Sequence, residues 1–252
     1  MNVVDSIHIT KNPIATSTIT IQCSTCGQTF DASAINCIDT LIWPEGRQVL
    51  DEGTFFHYTC PHCQTMSDVS YSCRYIDTEQ GISAVLIPGI DMQDSTTIID
   101  QLNAKISGLL LDKMEHRITS NFYALAEQMR IHKYHLNDKA IQLLKPFIIG
   151  QMQSRGLEVW NGFFTGIEHP DSEEPQHHTV YISTSQDANV YTEDIFQFNI
   201  HLTNGEILPH GINKTAYHIC TQILDGKGLK EDDGKFHFYD LSWAINFHNH
   251  LE

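Results

Sequence analysis

Two short cysteine motifs constrain this chain more than any other feature of its sequence. The first is Cys23-Ser24-Thr25-Cys26-Gly27 and the second is Cys60-Pro61-His62-Cys63. Each Cys-x-x-Cys pair places two sulfur atoms on one side of a tight turn. Two such turns that face each other supply four thiolates at the corners of a tetrahedron, which is the geometry that zinc prefers. We therefore predict that Cys23, Cys26, Cys60 and Cys63 bind one zinc ion.

The residues that flank both motifs are typical of β-strands. Residues 17–22 alternate apolar and polar side chains and lead into Cys23, and residues 55–59 lead into Cys60. A redox-active Cys-x-x-Cys pair normally begins a helix, where the thiol pKa is lowered. The strand context therefore favours a structural zinc site over two alternatives, redox or disulfide chemistry and a catalytic zinc. A catalytic zinc keeps one coordination position open for water, whereas four cysteines fill all four positions.

The stretch between the motifs is longer than a compact zinc ribbon requires. It has 33 residues, whereas compact ribbons have about 15–20. Pro44 is a suitable first residue of a helix and Gly53 is a suitable stop, so we predict a helical insertion of about two turns. Residues 67–76 and 82–88 are typical of strands and are separated by a polar connection that ends in Gly81. They predict a hairpin that extends the sheet of the ribbon.

This order of motifs resembles the CpXC-domain family of bacterial proteins. The resemblance covers residues 18–92 and rests on the two cysteine motifs, the insertion between them and a Tyr75-Ile76-Asp77 hairpin that ends in Ile87-Pro88. Residues 136–145 also resemble the region that follows in the family. The resemblance implies an architecture and a zinc site, and it implies no particular activity.

The chain departs from the family pattern at two positions. Ser24 stands where the name-giving proline is expected, and Gln64 stands where a glycine often follows the second motif. Neither departure removes a ligand. However, Gln64 makes a positive φ at that turn less favourable than glycine would.

The chain is strongly acidic, with a formal net charge of −16. Residues 1–93 hold three basic side chains against ten acidic ones, and a zinc ion bound by four thiolates adds a further charge of about −2. Nucleic-acid binding normally needs a basic face that displaces counterions from phosphates. We therefore expect no nucleic-acid partner and no membrane-surface partner, and we expect a protein as the partner.

The cysteine usage and the first residues predict a cytoplasmic protein. Four of the seven cysteines lie in the paired motifs, and residues 1–5 lack the charged head and apolar stretch of a signal peptide. No apolar run approaches the length of a membrane span. In such a chain, metal binding is favoured over a disulfide framework. Cys37 and Cys73 are predicted to be small core residues.

Three segments follow from the patterns along the chain. Residues 1–93 are the predicted CpXC-like zinc-ribbon domain. Residues 94–156 carry apolar residues at helical spacing, which predicts a helical segment whose apolar face forms a core or, alternatively, a homo-oligomer contact. Residues 157–252 contain alternating strands and an Asn204-Gly205 turn, which predicts a small α+β layer. The predicted fold class is therefore α+β, with an N-terminal β-rich zinc ribbon and helical insertion, a central helical segment and a C-terminal α+β domain.

The sequence favours a zinc-binding protein whose ribbon is a scaffold for protein interaction. It contains no phosphate-binding Gly-rich loop, nucleophile elbow or dinucleotide fingerprint, so no catalytic or cofactor-binding residue is assigned. Two alternatives stay open. The first is an enzyme with a site between the ribbon and the C-terminal domain, which requires that two or more of His177, His201, His210 and His237 converge with a carboxylate. The second is nucleic-acid binding through the ribbon, against which the acidic charge argues.

Overall fold

The computed structural model describes residues 16–106, 114–169, 180–181 and 194–250. Helices and β-sheets are mixed along this part of the chain, which confirms the predicted α+β fold class. The chain folds into two compact units. The first comprises Met1–Met129 with Asp233–Phe238, and the second comprises Arg130–Asp232 with Tyr239–Glu252. The division into three domains at residues 93 and 156 stays a prediction.

The helices and strands are numbered in chain order. Up to Lys133 they are β1 (Thr16–Gln22), β2 (Thr29–Ile35), β3 (Cys37–Asp39), α1 (Gly46–Glu52), a 3₁₀ turn (Thr54–Phe56), β4 (His57–Thr59), β5 (Met66–Asp68), β6 (Cys73–Asp77), β7 (Ile82–Leu86), α2 (Met92–Ile106), β8 (Glu115–Thr119) and α3 (Phe122–Lys133). Beyond Lys133 they are α4 (Asp138–Gln153), β9 (Val159–Glu168), β10 (Val180–Tyr181), β11 (Ile195–Leu202), β12 (Ile207–Asn213), α5 (Lys214–Gly226), β13 (Phe236–His237) and α6 (Leu241–Asn249).

The main sheet of the first unit has the strand order β13-β8-β7-β6-β3. Strands β6 and β7 form the hairpin that the sequence predicts, and they are antiparallel. This hairpin does not extend the ribbon, contrary to the prediction, because β6 pairs in parallel with β3 and β7 pairs in parallel with β8. Helix α2 connects β7 to β8, and a crossover connection of this kind is what two parallel strands require.

Apolar side chains cover both faces of the main sheet. On one face, Tyr75 packs with Leu50 of α1 and Leu125 of α3. On the other face, Val85 packs with Leu102 of α2. The predicted helical insertion is α1, which begins two residues after Pro44 and ends at Glu52, followed by Gly53 as the C-cap with a φ of +68°.

The second unit contains a sheet with the strand order β10-β12-β11-β9. Strands β11 and β12 are antiparallel and are joined through the predicted Asn204-Gly205 turn, in which Gly205 has a φ of +88°. One apolar cluster, which includes Leu144 of α4, Phe198 of β11 and Tyr217 of α5, forms the core of this unit. The acidic sequence at residues 168–175, which has prolines near both ends, predicts a loop, but residues 170–175 lie outside the described residues. Within the described ranges, none of the helices has the length and apolarity to cross a lipid bilayer.

A buried carboxylate ties helix α1 to the main sheet. Asp77 at the end of β6 is fully buried and accepts hydrogen bonds from Arg47 of α1 at 2.6 and 2.8 Å. It also accepts a bond from the Tyr75 hydroxyl at 2.8 Å and one from the backbone N–H of Gln80 at 3.1 Å. Burial favours the neutral acid, but these hydrogen bonds outweigh burial and lower the pKa of Asp77. The carboxylate therefore stays ionised to a lower pH than an ordinary aspartate.

We predict that Asp77→Asn lowers the free energy of unfolding by about 3 kcal/mol at neutral pH, because it leaves Arg47 without its buried anion. The folded-state pKa of Asp77 lies below the unfolded value. The contribution of Asp77 is therefore present above the unfolded pKa and is lost as the pH falls through the folded pKa. Urea denaturation of both proteins between neutral pH and about pH 3 measures this difference.

Glu79→Gln is the matched control for this prediction. Glu79 binds the same guanidinium at 2.6 Å, but its side chain is exposed, so its loss should cost at most about 1 kcal/mol. An equal loss of stability in the two variants would contradict a special role for the buried carboxylate.

Candidate metal centre

Each cysteine motif forms the turn of a two-stranded antiparallel hairpin. The first motif joins β1 to β2, and the second joins β4 to β5. In the first turn, the N–H of Cys23 donates to the carbonyl of Gln28 at 2.9 Å, and the N–H of Gly27 donates to the carbonyl of Cys23 at 2.8 Å. The second turn has the equivalent pair of bonds at Cys60 and Gln64. The backbone thus folds both motifs in the same way.

The two hairpins lie together because the strands that follow them are neighbours. Strand β2 leads into β3 after Asn36, and β5 leads into β6 after residues 69–72. Strands β3 and β6 are parallel, with Cys37 opposite Arg74. Two equivalent segments, each a hairpin followed by a strand of the main sheet, therefore run side by side. This arrangement brings the two cysteine motifs together.

The four sulfur atoms form a compact cluster. Cys23 Sγ lies 3.6 Å from Cys63 Sγ, and Cys26 Sγ lies 3.7 Å from Cys60 Sγ. All four sulfurs lie within 4.8 Å of one another. A tetrahedral zinc ion with Zn–S bonds of about 2.3 Å places its sulfurs about 3.8 Å apart. The cluster therefore fits a tetrahedral metal ion, and within the described part of the chain it is the one such group of three or more possible ligand side chains.

The protonation of the four thiols depends on their hydrogen bonds and on one another. The side-chain hydrogen bond between Cys63 Sγ and Thr65 Oγ1, which lie 3.4 Å apart, is the largest of the interactions that lower the pKa of Cys63 to about 6. At Cys26, a hydrogen bond from the backbone of Gln28 favours the thiolate, but burial and the neighbouring sulfurs outweigh it and raise the pKa to about 12. Four such close thiols lose all their protons only when a cation compensates the charge. Metal binding and proton release are therefore linked.

Tyrosine hydroxyl groups connect the hairpins to each other and to the main sheet. Tyr58 of β4 donates a hydrogen bond to the carbonyl of Ser33 on β2 at 3.0 Å. The hydroxyl of Tyr71, just before β6, accepts a bond from the N–H of Ile35 at 3.2 Å. The two tyrosine rings meet edge to face with centroids 6.3 Å apart. These contacts hold the sulfur-bearing turns against the core of the unit.

A polar cluster beside the second motif was not predicted from the sequence. Asp68 of β5 lies 2.5 Å from His57 Nδ1 and accepts a hydrogen bond from the Tyr123 hydroxyl at 2.8 Å. His57 and Asp68 become neighbours only through the pairing of β4 with β5, and no local signal points to Tyr123. The cluster joins the second hairpin to α3.

The other cysteines and the histidine within the second motif lie apart from the sulfur cluster. Cys37 and Cys73 are buried in the main sheet, as predicted for core residues. They occupy opposite faces, because Cys37 pairs with Arg74 and side chains alternate along β6. His62 is exposed.

The histidines of the enzyme hypothesis lie in different places. His201 on β11 and His210 on β12 lie on opposite faces of their sheet, because His210 pairs with Phe198, three residues from His201. Burial lowers the pKa of His210 to about 4, so its imidazole is neutral. His237 belongs to the first unit, where its Nε2 lies 2.6 Å from Asp233. His177 lies outside the described residues.

Comparison with known proteins gives one match. The family model described as CpXC protein matches residues 21–145. The matched stretch includes all four cysteines of the cluster, and it ends within α4. Neither the curated proteins nor the solved structures contain a significant match to the chain.

We predict that Gly27→Ala lowers the free energy of unfolding of the metal-bound protein by about 1–2 kcal/mol, because an L-residue is strained in the left-handed region. Gly27 has a φ of +72°, and a Cβ there would contact nothing within 4 Å, so backbone strain is the only cost. Gln64, the equivalent residue of the second turn, already has a φ of +61°.

Gln64→Ala is the matched control, because it keeps a side chain at the strained position. Thermal denaturation measures the stability of both variants. Gln64→Ala should change this stability much less than Gly27→Ala does. A Gly27→Ala variant as stable as the parent protein would show that the turn does not constrain its backbone as described.

Proposed function

Because residues 21–145 of the chain belong to the CpXC family, we propose that it is a zinc-binding protein in which Cys23, Cys26, Cys60 and Cys63 hold one structural zinc ion. The observation that carries this proposal is the sulfur cluster, with its S–S distances of 3.6 and 3.7 Å. Tetrahedral four-sulfur sites hold zinc or iron, and Cys-x-x-Cys turns on hairpins are the ligands of zinc ribbons. A reducing compartment such as the cytoplasm keeps these ligands free of disulfides.

The proposed zinc acts on folding and not on a substrate. Four thiolates fill its coordination shell, so no position stays open for water or a substrate. Two-stranded hairpins such as β1–β2 are marginally stable by themselves. Structural zinc contributes about 10–16 kcal/mol of apparent binding free energy in small modules. The ion would therefore hold the two hairpins together as a rigid scaffold.

We further propose that this scaffold binds a protein through the loop between β3 and α1. Leu41 and Ile42 in this loop are 75% and 53% exposed. The loop is ordered, because Asp39 accepts hydrogen bonds from the backbone N–H groups of Leu41, Ile42 and Trp43. Adjacent aliphatic side chains on an ordered backbone bury apolar area at a low entropic cost. The acidic balance of residues 1–93 favours a basic protein surface as the partner and argues against nucleic acid.

We predict that the purified chain contains one zinc ion and that replacing any of Cys23, Cys26, Cys60 and Cys63 by serine greatly reduces the zinc content. Each variant should also lose thermal stability, because the site contributes to folding. The zinc should be released as the pH falls, since the ligands bind as thiolates. Elemental analysis, together with thermal denaturation with and without a chelator, measures these effects.

Cys220→Ser is the matched control for these variants. Cys220 is a buried thiol of the second unit, outside the sulfur cluster, so this variant should keep its zinc. Iron in place of zinc, or no metal together with four reactive thiols in the native protein, would contradict the proposal.

We predict that the double variant Leu41→Ser/Ile42→Ser binds its basic protein partner with an affinity lower by at least about 10-fold, since the contact would bury less apolar area. Its zinc content and melting temperature should stay at the parent values, because neither side chain is buried. Quantitative affinity purification from the native host compares the two proteins. The control is Met66→Ser, which removes another exposed apolar side chain, 66% exposed, from β5. If the double variant recovers as much of the partner as the parent does, the contact lies elsewhere on the protein. Binding of duplex DNA at moderate salt would contradict the inference, drawn from the acidic charge, that nucleic acid is not a partner.

A further inference from the structure

The first unit contains a buried arginine that has no acidic partner among the described residues. Arg74 on β6 is only 6% exposed. Its Nη2 lies 3.4 Å from Ser83 Oγ, which is a long hydrogen bond, and its Nε is buried without a hydrogen-bond partner. Asp39 and Cys37 act on Arg74 only at longer range. Among the described residues, no carboxylate oxygen lies within 4.0 Å of the guanidinium.

The other arginines on this sheet and on α1 are paired differently. Arg47 binds Asp77 and Glu79 at 2.6 Å each. Arg117 of β8, which is as buried as Arg74, binds Glu115 at 2.6 Å. Within the described part of this unit, Arg47 and Arg117 therefore each form an ion pair with a carboxylate, whereas Arg74 does not.

An unpaired buried guanidinium is costly. Arginine keeps its proton in proteins, and taking a charge out of water without a close counter-charge is unfavourable. Burial is the largest influence on Arg74 and lowers its pKa, which Cys37 and Asp39 offset only in part. Such an arrangement is stable as it stands only if the rest of the fold carries the cost, or if an anion from outside the chain offsets it.

We propose that Arg74 and Ser83 form a binding site for a small oxyanion of the carboxylate or phosphate class, on the face of the main sheet near the edge strand β3. A guanidinium presents several N–H donors in one plane, which matches the oxygens of these anions. The Ser83 hydroxyl adds a further donor on the same side of the Arg74 fork. The orphan Nε is the donor that such an anion would satisfy.

The surroundings restrict the ligand to a small anion. Cys37 occupies the neighbouring register position on β3, and Val85 occupies that on β7. Both are buried, so side chains of moderate size lie on either side of Arg74 across the sheet. Asp39 lies two residues along β3 and directs its carboxylate to the N–H of Leu41, where it disfavours a ligand with a second negative group on that side. Acetate, sulfate and inorganic phosphate are suitable probes.

The test uses the zinc-loaded full chain in a buffer whose only anion is chloride, at constant ionic strength. Acetate, sulfate and phosphate are added separately, and the melting temperature is measured for the parent protein, Arg74→Met and Arg155→Met. Arg155 is an exposed arginine of the second unit, so Arg155→Met is a control for the loss of one positive charge. A binding anion stabilises the folded state to which it binds.

At least one of the three anions should raise the melting temperature of the parent protein and of Arg155→Met with a saturable dose dependence. Arg74→Met should show no such rise. In chloride alone this variant should be at least as stable as the parent, because it replaces an unpaired buried charge by an apolar chain of similar length. The Arg74 Nε–H resonance of the parent protein should shift with the same midpoint, and this readout decides the question if Arg74→Met does not fold.

Two results would overturn the proposal. One is that none of the three anions shifts the Arg74 Nε–H resonance. The other is that Arg74→Met responds to the anions as the parent does, which would assign the effect to general salt stabilisation. Neither result bears on the zinc site, whose test is the metal content of the cysteine variants.

Discussion

The contact between two hairpin tips at four sulfur atoms is the constraint on which the N-terminal region depends. Strands β1 and β2 pair only with each other, and so do β4 and β5 within the described residues. Two-stranded hairpins bury little surface and are marginally stable. Burial and the neighbouring sulfurs also raise the pKa of Cys26, so the four thiols do not lose all their protons easily. A cation at the centre of the cluster would offset the charge of the thiolates and hold the two hairpins together.

Strand pairing in the main sheet also favours this contact. Strands β3 and β6 continue the two hairpins and are parallel neighbours, so their pairing brings the cysteine motifs to the same end of the sheet. The buried Asp77–Arg47 pair then fixes α1, which lies in the insertion between the motifs. The long insertion therefore has a structural reason, because it contains the strand and the helix that a compact ribbon lacks.

The sequence predicts best those features that depend on local residue chemistry. The cysteine spacing predicts the cluster, Gly53 predicts the end of α1, and Asn204-Gly205 predicts the turn before β12. The sequence does not predict strand β8, because four consecutive residues of this strand are buried and they include the polar His116 and Arg117. The alternation of apolar and polar residues that indicates a strand is therefore absent. The pairing of β3 with β6 was missed for a different reason, since a parallel contact between distant segments leaves no local pattern.

Arg74 is a second feature of the β3–β6 contact that has no local signal in the sequence. As a charged residue in a predicted hairpin arm it gives no signal in the sequence, and its burial becomes visible only when β3 and β7 are paired on either side of its strand. It lies directly opposite Cys37, at the point where the two hairpin-and-strand segments meet. If zinc and an oxyanion bind as proposed, the zinc ion joins these segments at their tips and the oxyanion neutralises the charge of Arg74. Both ligands would favour the same packing of β3 against β6, so each would bind more tightly when the other is present.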